Sequence, residues 1–220
     1  MGLGVMPSAR VVAFIALMGA LGNALFMLSQ FVFTMGQVAL DLSHVATFIS
    51  ALYGGPGLGM LVGMLVGIGT GFYFGFVGGT LGLLGLLGLV AGKTMTGFTA
   101  GVISNLLRGK GGLQALSSKR VAALIPISYI PECLFTVAFF LAIVPLFFPP
   151  DKAALFASLL APILIKAWIE IGFMATLIGA LAGNKGFLDF VECFLGPRMG
   201  KKKEVKHLSA SISAHTVLLR

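Results

Sequence analysis

Apolar runs of about twenty residues recur along the whole sequence, separated by short polar segments. A run of that length crosses the hydrocarbon of a bilayer as a helix. In lipid, every backbone N–H and C=O must find a partner within the protein, so the available structures are helices and closed barrels. These runs are continuous and do not alternate, which selects helices. The sequence therefore predicts an all-α integral membrane protein. Of its 220 residues 58% are hydrophobic and 10% charged, against about 25% charged in a soluble domain. This length accommodates about six spanning helices with short loops and leaves no room for a separate ATPase, kinase or DNA-binding domain.

The runs fall at residues 11–33, 45–53, 58–77, 80–103, 121–148 and 153–181. The second is too short to cross the hydrocarbon alone. Either its helix begins near Gly36 and carries Asp41 and His44, or it is a short helix packed among the others. Gly54-Gly55-Pro56-Gly57 marks a turn, and Pro149-Pro150 ends the fifth run. Residues 1–182 form the expected six-helix transmembrane domain, and residues 183–220 a polar, basic tail. Residues 1–10 carry one charge and no small-residue cleavage site, so the first run is expected to stay as a helix, not to act as a signal peptide.

The net charge of +8 is concentrated in particular loops. Arg10 precedes the first run. Arg108, Lys110, Lys119 and Arg120 lie between the fourth and fifth, and Lys185, Arg198, Lys201, Lys202, Lys203, Lys206 and Arg220 follow the sixth. The remaining loops hold Lys152, Asp41 and Asp151. Six crossings with both termini in the cytoplasm put every basic cluster on one side, as the positive-inside rule requires. Anionic lipid accounts for the basic charge, and no basic face interleaved with aromatics suggests nucleic acid.

Glycine recurs every fourth residue from Gly55 through Gly59, Gly63, Gly67, Gly71 and Gly75 to Gly79, with Gly88, Gly92, Gly97 and Gly101 on the next run. Such spacing lets helix backbones approach closely in lipid, either within the bundle or against a partner or sliding surface. The first run carries a second small-residue face, Ala9, Ala13, Ala16, Ala20 and Ala24, flanked by Gly19 and Gly22.

Lys93, Glu132, Lys166 and Glu170 fall near the middle of their runs. Ionisable residues at that depth are costly and face a cavity or one another. Lys166 and Glu170 are four apart and share a helix face. Tyr129 and Ser128 lie on the Glu132 face, and Trp168 lies close to the Lys166 pair. Two arrangements follow: a buried ion-pair network joining helices, or a polar ligand pocket lined by the same residues. Asp41-Leu42-Ser43-His44 reads either as a helix N-cap or as an outer-side gate or ligand contact through Asp41 and His44.

Chemistry of other kinds has little support. His44 has no second histidine near it, so no metal is expected. Gly88 to Thr94 resembles a phosphate loop, but Leu87 stands where glycine is required and the stretch is mid-membrane. No Gly-x-Ser-x-Gly or His-Glu-x-x-His pattern occurs. Cys133 and Cys193 make no disulfide framework. Neither catalysis nor a cofactor is expected.

The segment from Ala9 to Ala20 is similar to the first helix of the S components, the substrate-binding membrane subunits of energy-coupling factor (ECF) vitamin importers. Ala-Leu-Asp41-Leu-Ser43-His resembles the opening of that family's second helix, and Gly55-Pro56-Gly-Leu-Gly59 its turn before the third. Ala161-Pro162-Ile-Leu-Ile-Lys166 resembles the sixth helix of riboflavin-type members, although Ile163 stands where their pattern has asparagine. The resemblance implies six helices, a micronutrient captured from outside in the cell membrane, and delivery through a membrane coupling subunit driven by two ATPases. It implies ligand contact at Lys166 and docking through Ala9, Ala13, Ala16 and Ala20. By their chemistry, Glu170, Glu132, Lys93, Tyr129, Trp168, Asp41 and His44 complete the candidate site. Two other functions fit the same residues. One is a self-sufficient proton-coupled transporter with Lys166, Glu170, Glu132 and Lys93 as a relay. The other is an assembly protein whose glycine faces bind other chains.

Overall fold

The computed structural model describes residues 8–195 except 33, 36, 37, 40, 80 and 110–115. Within them the chain is a helical bundle. The helix α1 spans Ala9–Val32, α2 His44–Gly54, α3 Pro56–Phe72, α4 Gly82–Arg108, α5 Ser118–Ala138, α6 Val144–Phe147, α7 Pro150–Ala182 and α8 Lys185–Leu195. Wide π-helical turns at Tyr73–Val77 and Phe139–Ile143 extend α3 and join α5 to α6. Between α1 and α2, Thr34–Met35 and Val38–Ala39 pair as a two-residue antiparallel ladder. Five stretches are long and apolar enough to cross a membrane: Ala9–Phe31, Pro56–Val77, Gly82–Arg108, Ser118–Phe147 and Pro150–Ala182.

Of the two forms open to the second run, the structure shows the short one. The helix α2 begins at His44 and has 11 residues, about 16 Å at 1.5 Å per residue. Its residues from His44 to Tyr53 are all buried. A helix enclosed on every side has no lipid face to present, which accounts for the Thr47 and Ser50 hydroxyls along a stretch otherwise apolar. At its C-terminus Gly55 takes φ 84°, a conformation open to glycine, and Pro56 starts α3 where no N–H partner is needed.

Helices α3 and α4 lie backbone against backbone. A Cβ at Gly59 would strike the carbonyl oxygen of Gly97, and one at Gly63 the carbonyl of Lys93. Gly67 meets Val90 in the same way, Gly71 meets Leu86, Gly75 meets Gly82, and Gly101 meets Pro56. The glycine stripe is therefore consumed inside the bundle by α4, which removes it as a face for a partner or for sliding. Helix α1 behaves differently. Gly19 and Gly22 turn inward onto Leu65 and Val66, while Ala9, Ala13, Ala16, Ala20 and Ala24 are all exposed.

The contacts fix the direction of each helix. Along α1, Gly19, Gly22 and Phe26 meet Leu65, Val66 and Tyr73 in ascending order, so α1 and α3 run parallel. Helix α2 is antiparallel to α3, with Ala51 at Gly59 and Thr47 at Gly63. Helices α4, α5 and α7 follow in alternating directions, with Gly88 at Phe139 and Gly179 at Ala122. The start of α1, the end of α2, the α4–α5 loop and the end of α7 consequently lie at one end of the bundle. Arg10, Arg108, Lys119, Arg120 and Lys185 all belong to that end, and Asp151 and Lys152 to the other.

The expectation of a polar tail after residue 182 needs correcting. Its first part is α8, whose Phe187, Leu188, Val191 and Leu195 pack on the main core. The Phe187 ring meets Tyr53 edge-on at 5.8 Å, under the end of α2. The spacing 187, 188, 191, 195 is a helical face that averaging over a basic segment conceals. The tail lysines Lys201, Lys202 and Lys203, together with Arg198, Lys206, Arg220 and Lys110, lie outside the described residues, as does Gly36.

Candidate functional site

Apolar packing comes in two blocks. The larger joins α1, α2, α3, α4, α5, α7 and α8 towards the basic end. The smaller, Phe139, Phe140, Val144, Phe156 and Leu160, holds the opposite ends of α5 and α7 together. Charged side chains meet between them. Residue 93 lies within a helix running 82–108, residue 132 within a span running 118–147, and residues 166 and 170 within one running 150–182. All are near half-depth, and α2 starts at the same level.

Lys93 is 1% exposed, and a lysine is seldom so buried without a charged partner. Its Nζ donates to Asp41 Oδ2 and to Ser43 Oγ, each at 2.8 Å. The other Asp41 oxygen, Oδ1, accepts the Ser43 N–H at 2.9 Å. Of the two capping candidates, Asp41 makes a bond of the N-cap kind, to the N–H two residues on, while the Ser43 side chain makes none to α2 and serves Lys93 instead.

On α7, Lys166 Nζ lies 3.3 Å from Glu170 Oε1, the pairing expected from the four-residue spacing. The same Glu170 oxygen accepts the backbone N–H of Asp41, so the segment ahead of α2 is tied to α4 through one group and to α7 through another. On α5, Glu132 Oε2 accepts the Thr96 hydroxyl of α4 and Oε1 lies 3.6 Å from His44 Nε2. Gly92 makes room for it, since a Cβ there would touch the Glu132 side chain.

Aromatic rings complete the assembly. Tyr129, one turn before Glu132, stands edge-on to His44 at 6.2 Å and to Trp168 at 5.7 Å. Trp168 is 43% exposed and reaches the bundle exterior. Lys93, Glu132, Lys166, Glu170, Asp41, His44, Tyr129 and Trp168 thus belong to one connected cluster drawn from α2 and the segment before it, α4, α5 and α7. Ser43, read from the sequence as a capping residue, and Thr96, not singled out there, also belong to it. The signal for each was spacing: Ser43 is two residues after Asp41, and Thr96 is three after Lys93 on the same helix face.

Among the described residues, no group of three or more His, Cys, Asp or Glu side chains is arranged to hold a metal ion. Chemically the cluster offers carboxylates, ammoniums, an imidazole and aromatic faces, enough to bind and orient a small polar molecule away from water. Comparison with known proteins gives no match: no family model, no curated protein and no solved structure is significantly similar to this chain.

Proposed function

We propose that this chain is the substrate-binding membrane subunit of an ECF-type importer of a vitamin or related micronutrient. It crosses the cytoplasmic membrane six times, counting the half-length α2 with the segment that leads into it, and both termini face the cytoplasm. The observation that carries the reading is the convergence of the polar and aromatic residues from four segments on one buried cluster at half-depth. Charges in that position favour a functional site. The gathering of Arg10, Arg108, Lys119, Arg120 and Lys185 at one end supports the orientation. The exposed alanines of α1 suit docking of a coupling subunit, because small residues let a second helix approach. Energy then comes from two ATPases carried by the partner.

Reconstitution in liposomes tests this. Uptake of the molecule that co-purifies with the chain should require the coupling subunit, both ATPases and ATP. Uptake by the isolated chain under a proton gradient, without ATP, would instead establish the proton-coupled transporter.

A further inference from the structure

Glu132 is the one carboxylate of the cluster without an ammonium of its own. The two lysines are taken elsewhere, Lys93 by Asp41 at 2.8 Å and Lys166 by Glu170 at 3.3 Å. Glu132 is 6% exposed, and its polar neighbours are the Thr96 hydroxyl and the His44 ring at 3.6 Å. Three carboxylates therefore meet two ammoniums. A buried charge left without a counter-charge is strongly unfavourable, so the imbalance is met either by a proton or by one further cation.

His44 indicates where that charge belongs. The residue is 5% exposed, and its Nδ1 is buried without a hydrogen-bond partner. A ring proton on Nε2, the nitrogen nearest the Glu132 carboxylate, leaves Nδ1 as an acceptor. An unpaired buried acceptor complements an N–H donor and repels a carboxylate. Beside it, the ring of Tyr129, 5% exposed, offers a face of the kind that attracts cations.

We infer that the site takes a ligand whose buried end carries a single positive charge on nitrogen, with Glu132 as its counter-ion and His44 and Tyr129 flanking it. This rests on the binding-subunit reading and narrows its substrate to cations.

Thermal unfolding of the purified full-length chain in detergent tests the inference. The probes are methylammonium, imidazolium and benzamidinium chlorides in the millimolar range, with neutral benzamide and sodium benzoate as size-matched controls. At least one cation should raise the unfolding temperature saturably, and benzamide and benzoate should not. Glu132→Gln should weaken that cation about tenfold or more, whereas Glu132→Asp, which keeps the charge, should retain it and show that the site tolerates substitution. Three results would overturn the inference: benzoate as effective as benzamidinium, a cation effect that persists in Glu132→Gln, or no effect of any cation, which would mean that a proton supplies the missing charge. Benzoate binding would leave the importer reading standing. ATP-independent uptake with cation binding intact would remove that reading and leave this one.

Discussion

The ammonium of Lys93, half-way along α4, lies 2.8 Å from the carboxylate of Asp41, three residues ahead of α2. That bond sets the depth at which α2 begins. Removing one partner strands the other in a low-dielectric setting, which costs about 3–5 kcal/mol, while removing both is much milder. Lys93→Met should therefore destabilise the protein far more than Lys93→Met combined with Asp41→Asn, as read from unfolding in mixed detergent.

A parallel comparison on α7 separates binding from stability. Lys166→Met with Glu170→Leu removes both members of the 3.3 Å pair and should unfold above Lys166→Met alone, short of the parent by the bond that Glu170 accepts from the Asp41 N–H. Ligand affinity, measured by calorimetry on the co-purified molecule, should fall roughly tenfold to a hundredfold, the value of a hydrogen bond to a charged group. Unchanged affinity would make this pair structural.

The glycines of α3 should differ sharply in tolerance. At Gly63 an added Cβ meets the backbone of Lys93, which cannot step aside, so Gly63→Ala should cost at least about 1–3 kcal/mol and Gly63→Leu should abolish folding. At Gly57 a Cβ meets nothing within 4 Å, and Gly57→Ala should be neutral or stabilising by up to about 1 kcal/mol. The yield of monodisperse protein and its unfolding temperature distinguish the two.

Orientation is read by labelling. Cys193 on α8 is exposed and lies at the basic end. In intact cells it should resist an impermeant maleimide and react after permeabilisation. Lys152→Cys, in a chain lacking Cys133 and Cys193, should react from outside. The opposite pattern would invert the topology.

Docking is tested on the outer face of α1. Ala16→Trp and Ala20→Trp add bulk to exposed positions, so the bundle should fold and bind ligand as before. Capture of the coupling subunit should fall. Equal capture by the variants and the parent would dismiss this face as the contact.

The sequence reading reached the long helices and the local Lys166–Glu170 pair because both depend on near neighbours: apolar runs, prolines and a four-residue spacing. It placed Lys93 and Asp41 in the site without pairing them, since they are far apart in sequence and meet only once α2 is packed between α3 and α4. The extent of α2 was legible as the apolar run 45–53, but the enclosure that favours this short form over a helix begun near Gly36 is not a property of those residues. The π-helical turns at Tyr73–Val77 and Phe139–Ile143 had no local signature that set them apart from ordinary helix. The glycine repeat announced close packing but did not say against what, because a smooth helix face is the same whether a neighbour in the chain or a separate protein covers it.

Where α3 meets α4, backbone touches backbone and no side chains intervene that could change rotamer and let one helix slip past the other. Mechanically the two act as a single stiff plate. Across α4 and α5 the contact is of another kind: the Phe139 ring over Gly88, and a carboxylate reaching a hydroxyl at Thr96. Rings can tilt and a hydrogen bond can be exchanged, so this seam is the more compliant of the two. Any movement along it is felt at Glu132.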